Sequence, residues 1–340
     1  MKRLAGLLFL VIVAAAGVAA WFYTGIDRPF KGYDAPEQFV EIPQGVGSAA
    51  IAKRLADAGV VHDANSFRLA LWITGQGRHL QAGEYRFDRP ISPRQVADKI
   101  ARGDVYVRPI TFPEGLTIRQ MAALYESKGF GPAQDFVDAA KNRALVSALD
   151  PDARDLEGYL FPDTYALPRK ATAEQLVQRM VAAFMKAMTP DLLDKADARA
   201  LTIRQFVTLA SIVEKETGNK EERPLVAAVY TNRLKLGMPL QCDPTVIYAL
   251  ERAGRYNGNL TRDNLQYDSP YNTYRYPGLP PGPIASPGRA SLAAAATPAD
   301  APYLYFVSKN DGTHAFAATL EEHNRNVQLY QVQYFREKKR

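Results

Sequence analysis

Two glutamates, Glu214 and Glu216, close the segment Thr202–Asn219, TIRQFVTLASIVEKETGN. Thr202 is a good N-cap and Gly218–Asn219 a good stop, so the pattern predicts a helix over 202–217. Ile203, Phe206, Val207, Ala210 and Val213 form one apolar stripe, and Leu209 and Ile212 widen it, so nearly all of this helix is expected inside. Its last turn then presents two carboxylates at the negative end of the macrodipole, which disfavours them by a few tenths to about 1 kcal/mol. Residues that break a local rule are often functional. That field, with partial burial, raises the pKa of such a carboxyl. A glycosidase acid needs this, because it must carry a proton at neutral pH. Spacing separates the two only weakly: Glu216 follows Leu209, Ile212 and Val213, Glu214 follows Val207 and Ala210, and both reach a groove. From periodicity alone the simpler reading is a solvated Glu–Lys–Glu end held by Lys215 and Lys220.

The elements around this helix place it in a mixed chain. Helices are predicted over about 172–188, 202–217 and 221–236, followed by a loop rich in Pro, Gly, Tyr and Asn from Gln266 to Gly288. A hairpin follows, with strands 303–308 and 313–317 and the turn Lys309–Asn310–Asp311–Gly312, and then a last helix over 319–336. Before residue 155 the pattern is different. A strand over 39–43 ends at a Pro-x-Gly turn and leads into a helix over 48–58 stopped by Gly59. Pro43, Gly45, Val46, Ile51, Ala52 and Gly59 recur as Pro113, Gly115, Leu116, Met121, Ala122 and Gly129, which reads as two βα modules of related build. Between them lie a helix over 64–74, a strand over 84–87 and a helix started by Ser92–Pro93. The fold class expected is therefore α+β.

The N-terminus carries LAGLLFLVIVAAAGVAAWFY, twenty uncharged residues from Leu4 to Tyr23. At about 1.5 Å per residue such a helix spans a bilayer core of about 30 Å. Lys2 and Arg3 precede it, so the positive-inside rule predicts a cytoplasmic tail of residues 1–3 and export of everything after the anchor. Trp21, Phe22 and Tyr23 suit the membrane interface. The run is long for a signal-peptide core and lacks a clean small-residue cleavage site. Residues 24–36 read as a linker.

Composition limits the rest. The chain has 340 residues, 47% of them hydrophobic, enough for two domains. Its single cysteine, Cys242, excludes an internal disulfide and a Cys-cluster metal site, and its four scattered histidines form no ligand tract. No cofactor or metal is expected. The net charge of +6 is not gathered into a basic stripe, which argues against a nucleic-acid partner.

The motifs LASIVEKET (209–217), VYTNRLKLGMPLQCDPTVIY (229–248), RYNGNL (255–260), YNTY (271–274), GLPPGPIASPG (278–288) and PYLYFVS (302–308) resemble, in order, those of the YceG-like proteins, the murein transglycosylase G family. The resemblance implies a LysM-like subdomain over 37–110, a connecting βα region over 111–154 and a mainly helical, lysozyme-like catalytic domain with a small β element over 155–340. It implies endolytic cleavage of peptidoglycan glycan strands to 1,6-anhydro ends, at the periplasmic face of the inner membrane, close to wall-synthesis enzymes. In related lytic transglycosylases the catalytic Glu is followed by Ser or Thr. Glu216–Thr217 matches that pair and Glu214–Lys215 does not, so the resemblance assigns catalysis to Glu216, with Glu214 in reserve.

Asn232, Gln241, Asp243 and Thr245 follow the catalytic helix as candidates to bind acetamido groups, each with a cap or turn role as the alternative. Tyr271, Asn272 and Tyr274 are candidates to face sugar rings, or to pin their loop to the core. Glu222 is expected to cap the next helix, His314 and His323 to be structural, and Cys242 to have no role. A non-catalytic wall-binding scaffold and a hydrolytic muramidase with Asp243 as second carboxylate are the competing functions.

Overall fold

A computed structural model describes residues 24–338 together with 13, 14 and 17. The anchor reading of 4–23 and the tail 1–3 therefore fall almost wholly outside the described residues. Among those described, no helix is long and apolar enough to cross a membrane. The chain forms two compact units: one holds residues up to Arg108 with Ala166–Lys170, the other Pro109–Tyr165 and Ala171 onward.

In the first unit, β1 (Gln38–Ile42) pairs antiparallel with β2 (Gly83–Phe87), with Val40 opposite Tyr85. Alternation sends Val40, Ile42, Tyr85 and Phe87 inward, where they meet Ile51 and Leu55 of α1 (Ser48–Asp57), Phe67 of α2 (Ala64–Thr74), and Val96 and Ile100 of α3 (Pro93–Ala101). Asp63 caps α2 by accepting from the amides of Asn65 and Ser66, and Ser92 with Gln95 forms a capping box on α3. The stretch expected as a linker is packed instead. Ile26 is fully buried, Phe30 bridges to Ile91, and Arg94 Nε donates to Asp27 Oδ1 at 2.6 Å.

The second unit is mainly helical. It includes α4 (Ile118–Ser127), α5 (Ala133–Ala139), α6 (Ala173–Ala187), α7 (Pro190–Ala198), α8 (Ile203–Glu216), α9 (Arg223–Lys235), α10 (Asp243–Arg252) and α11 (Arg289–Ala296). Strands β3 (Arg108–Thr111) and β4 (Thr164–Leu167) form a second short pair, and Thr111 and Thr164 share a hydroxyl hydrogen bond of 2.8 Å. The hairpin is β5 (Tyr305–Ser308) with β6 (His314–Ala317), and α12 (Leu320–Val327) follows. Every residue of α8 from Phe206 to Val213 is buried, because α7, α9, α10 and α11 all pack on it. The expected continuous last helix is broken by a π-helical stretch over Gln328–Gln333 before α13 (Tyr334–Glu337). The hairpin supplies a reason. Asn310 Nδ2 donates to the Tyr330 carbonyl, and Gln331 Nε2 donates to the Ser308 carbonyl, each at 2.6 Å.

The repeated βα modules are real at the level of backbone. Gly45 and Gly115 occupy matching left-handed turns at φ +75° and +77°, and Gly59 and Gly129 both end their helices at positive φ. The architecture is α+β, mostly helical with three small two-stranded sheets among the described residues.

Candidate active site

The end of α8 decides the site. Thr202 forms a capping box with Gln205 at its start, and its apolar faces bury it, so its last turn is held rigidly against the rest of the second unit. The solvated Glu–Lys–Glu end is not what forms. Glu214 Oε1 accepts from Arg223 Nη2 at 2.7 Å, and its Oε2 accepts from the Gly288 amide at 2.9 Å. The Glu214 and Arg223 side chains are only 5% and 4% exposed. Lys215 Nζ donates to the Gly115 carbonyl at 3.1 Å. Both oxygens of Glu214 are thus committed to the frame.

Glu216 is half-buried and opens onto a cavity of about 270 Å³ lined also by Tyr230, Gln241, Asp243, Tyr274 and His323. Tyr230 Oη, projecting from α9, donates to Glu216 Oε1 at 2.5 Å. The buried Cys242 thiol donates to the same carboxyl. Burial raises the pKa of Glu216 above the usual carboxylate range. The nearby Asp243 charge adds to this, while the Tyr230 and Cys242 hydrogen bonds and His314 oppose it. Burial and the neighbouring Glu216 also push the Cys242 thiol well up, so it stays protonated and able to donate. The result is a carboxyl poised to carry a proton yet held by two donors that favour its anion, which suits a group that must first give a proton and then take one.

Among the candidate substrate-binding residues of the sequence, Gln241, Asp243 and Tyr274 line this cavity. Asp243 sits in the first turn of α10, where the helix field suits a carboxylate, and its Oδ1 accepts from Tyr274 Oη at 2.6 Å. Gln241 lines it from a left-handed backbone at φ +52°, a strained conformation for a side chain with a Cβ.

The rest frame it. Thr217 is buried, accepts from the Asn219 amide at 3.0 Å and lies 3.5 Å from Glu222 Oε2. Asn232 Nδ2 donates to the carbonyls of Ala301 and Tyr303, which ties α9 to the approach of β5. Thr245 Oγ1 donates to the Cys242 carbonyl at 2.7 Å and meets Thr273 Oγ1 at 2.9 Å; Thr273 in turn accepts from the Cys242 amide. Asn272 is fully buried and its amide nitrogen donates to the carbonyls of Leu265 and Tyr267. Tyr271 faces elsewhere: its ring lies 5.0 Å from that of Tyr248.

Two expectations are corrected. Glu222 does not cap α9 with its side chain; its oxygens accept from the His314 amide at 2.9 Å and meet His314 Nδ1 at 2.7 Å, which fastens β6 beside the site. Cys242 touches the candidate catalytic carboxyl. Neither Cys242 nor Tyr230 was singled out from the sequence as a site residue. The available signal for Tyr230 was a phenol on a helix buried almost all round, since such a hydroxyl needs an acceptor.

Known proteins give this geometry a context. A family model described as the YceG-like family matches residues 40–329. An endolytic murein transglycosylase of Bacillus subtilis (strain 168) is 31% identical over 307 residues, covering 86% of this chain and 84% of that protein. A protein of the same name from Streptococcus pneumoniae (serotype 2, strain D39) is 32% identical over 356 residues, covering 94% of this chain but 63% of its own length. The crystal structure of a yceG-like protein from Listeria monocytogenes matches with a TM-score of 0.58 at 32% identity, over 85% of this chain and 98% of that one. Since the matched region takes in both βα modules and the whole Glu216 cavity, the chain belongs to the YceG-like family.

Proposed function

We propose that this chain is an endolytic murein transglycosylase in which Glu216 is the sole acid and base. The observation that carries the reading is the single carboxyl with a raised pKa in a polar cavity, held by Tyr230 and Cys242. The names borne by its relatives point to the same reaction.

In this reading Glu216 donates its proton to the oxygen joining N-acetylmuramic acid to N-acetylglucosamine, and that C1–O bond breaks. The sugar's own N-acetyl group stabilises the positive C1. The Glu216 carboxylate then takes the proton of the muramic C6 hydroxyl as O6 closes on C1. The product ends in 1,6-anhydromuramic acid, and Glu216 is again protonated. An intramolecular nucleophile supplies the proximity that a second carboxylate and a water would otherwise have to arrange. Gln241, Asp243 and Tyr274 contact the sugar groups, and Thr217, Asn232, Thr245 and Asn272 hold the walls.

The wider reading follows the sequence. Leu4–Tyr23 anchors the protein in the inner membrane with the N-terminus inside, so that the described units lie in the periplasm beside the enzymes that extend the wall. The 37–110 region acts as a LysM-like glycan-binding subdomain.

One observation favours a second reading. Asp243 lines the same cavity as Glu216, and a carboxylate there is what a hydrolytic muramidase would use to activate water. Mass spectrometry of digested peptidoglycan separates the two. Anhydro ends support the transglycosylase, and reducing ends overturn it in favour of the hydrolase.

A further inference from the structure

A second cavity, of about 230 Å³, lies in the same unit and has no part in the chemistry above. Its lining includes Arg119 of α4, Lys141 after α5, Asp155, Glu157, and Tyr248 and Arg252 of α10. Two of its cations are uncommitted. Arg119 Nη1 donates only to the Glu251 carbonyl, at 2.9 Å, and Arg252 Nη1 to Tyr248 Oη, at 3.1 Å; neither has a carboxylate partner among the described residues. Lys141, by contrast, pairs with Asp138 at 2.6 Å. The Arg252 guanidinium lies 5.6 Å from the ring centres of both Tyr248 and Tyr271, which fixes its position without neutralising it.

A buried acid on the same wall does not neutralise it either. Glu157 is buried, accepting from the Ile118 amide at 3.0 Å and from Tyr248 Oη at 3.2 Å. Burial first, and the Asp155 charge second, push its pKa up to about 8, so it is mostly neutral at pH 7. The cavity thus offers two guanidinium groups that form no ion pair among the described residues, with Asp155 and Glu251 as anionic counterpoints on the same wall.

Position relates this cavity to the first. Asp243, which opens α10, lines the Glu216 cavity, while Glu251 and Arg252 at its other end line this one. Nine residues of helix separate them, about 13 Å along the axis. The loop follows the same division: Tyr274 lines the first cavity, and Tyr271 packs on Tyr248 and Arg252 of the second.

We propose that this second cavity is a subsite for the peptide branch of the glycan, with Arg119 and Arg252 binding a carboxylate of the branch and Asp155 meeting its amino group. The proposal rests on the murein-cutting reading. Planar guanidinium pairs suit carboxylates, and a ligand of mixed charge uses both signs on the wall.

The test uses the full-length chain in detergent micelles and the free tripeptide L-Ala-γ-D-Glu-diaminopimelate, with binding measured calorimetrically. The tripeptide is expected to bind wild type and Glu216→Gln equally, and roughly tenfold or more weakly to Arg252→Gln and Arg119→Gln, the loss expected for a charged hydrogen bond. Unchanged circular dichroism of the variants shows that they fold. A tripeptide with its carboxylates amidated, and inorganic phosphate, should each bind poorly; phosphate binding as tightly as the tripeptide would make the cavity a general anion site and overturn the proposal. In parallel, Arg252→Gln should cut peptide-free glycan strands like wild type but peptide-bearing strands more slowly. A wild type that cuts murein but binds no tripeptide sinks the subsite and leaves the cutting reading intact. A wild type that binds the tripeptide but cuts nothing sinks the cutting reading alone.

Discussion

Glu214 and Glu216 stand two residues apart on one helix end and serve opposite ends: Glu214 spends both oxygens on Arg223 and the Gly288 amide, and Glu216 turns to the cavity with Tyr230 and Cys242 as its donors. The backbone of α8 imposes this split, since residues at i and i+2 leave a helix about 200° apart.

Removing Glu214 should therefore act on stability before it acts on chemistry. Glu214→Ala leaves Arg223 buried with only Glu114, at 3.4 Å, as a remaining partner. Breaking a buried pair from one side costs about 3–5 kcal/mol. Denaturant unfolding should show a loss of that order. A loss of about 0.5 kcal/mol, the size expected of an exposed pair, would contradict the account.

Tyr230→Phe tests the electrostatics of Glu216. Tyr230 donates to the carboxylate and so holds the Glu216 pKa below what burial alone would set. In the proposed reaction the acid form of Glu216 acts first, so activity should fall as pH rises through that pKa. Without the phenol the pKa rises further, and the alkaline limb of the pH–rate profile should move to higher pH, with kcat lower by about tenfold. A limb that stays in place or moves to lower pH would show that Tyr230 does not act on this carboxyl.

Glu157 makes stability depend on pH. Its pKa is about 8 in the folded chain against an ordinary 4.5. The unfolded chain releases that proton near the ordinary value while the folded chain keeps it, so this contribution is full below pH 4.5 and is lost as pH rises through about 8. Glu157→Gln keeps an acceptor for the Ile118 amide and carries no titrating proton. Its melting temperature should fall less than that of wild type between pH 5 and pH 8. Equal falls would mean that Glu157 is not held neutral.

Gly158 beside it is required by both backbone and space. Its φ is +85°, and a Cβ there would lie 2.4 Å from Pro283 Cβ and 2.6 Å from Pro283 Cγ, a ring that cannot turn away. Gly158→Ala should cost about 2 kcal/mol or more, read by thermal unfolding with activity measured on the folded fraction.

The sequence made α8 legible because its cap, stripe and stop agree, and it made the hairpin legible because its turn residues admit only a few geometries. It did not expose α10. Asp243–Pro244 opens a turn as readily as a helix, and Pro early in the first turn suits a helix as well. The alanine-rich α11 lacks the polar face that would give a period. The packing of 24–36 depends on Ile26 reaching a core assembled from residues far along the chain, which no local pattern encodes. In the site, the motif resemblance pointed to Glu216, and Gln241, Asp243 and Tyr274, picked out by their place after the helix and in the loop, line the same cavity. Tyr230 and Cys242 went unseen because each looks like ordinary filling of a buried face until the folded chain sets it beside the carboxyl.

In the proposed reaction one carboxyl, Glu216, does all the proton transfer. Purified peptidoglycan should be incubated with the full-length chain, wild type beside Glu216→Gln, with the variant's melting temperature measured to show that it is folded, and the products weighed by mass spectrometry. The account predicts 1,6-anhydromuramic ends from wild type and none above background from the folded variant. Anhydro products from Glu216→Gln at the wild-type rate would contradict it.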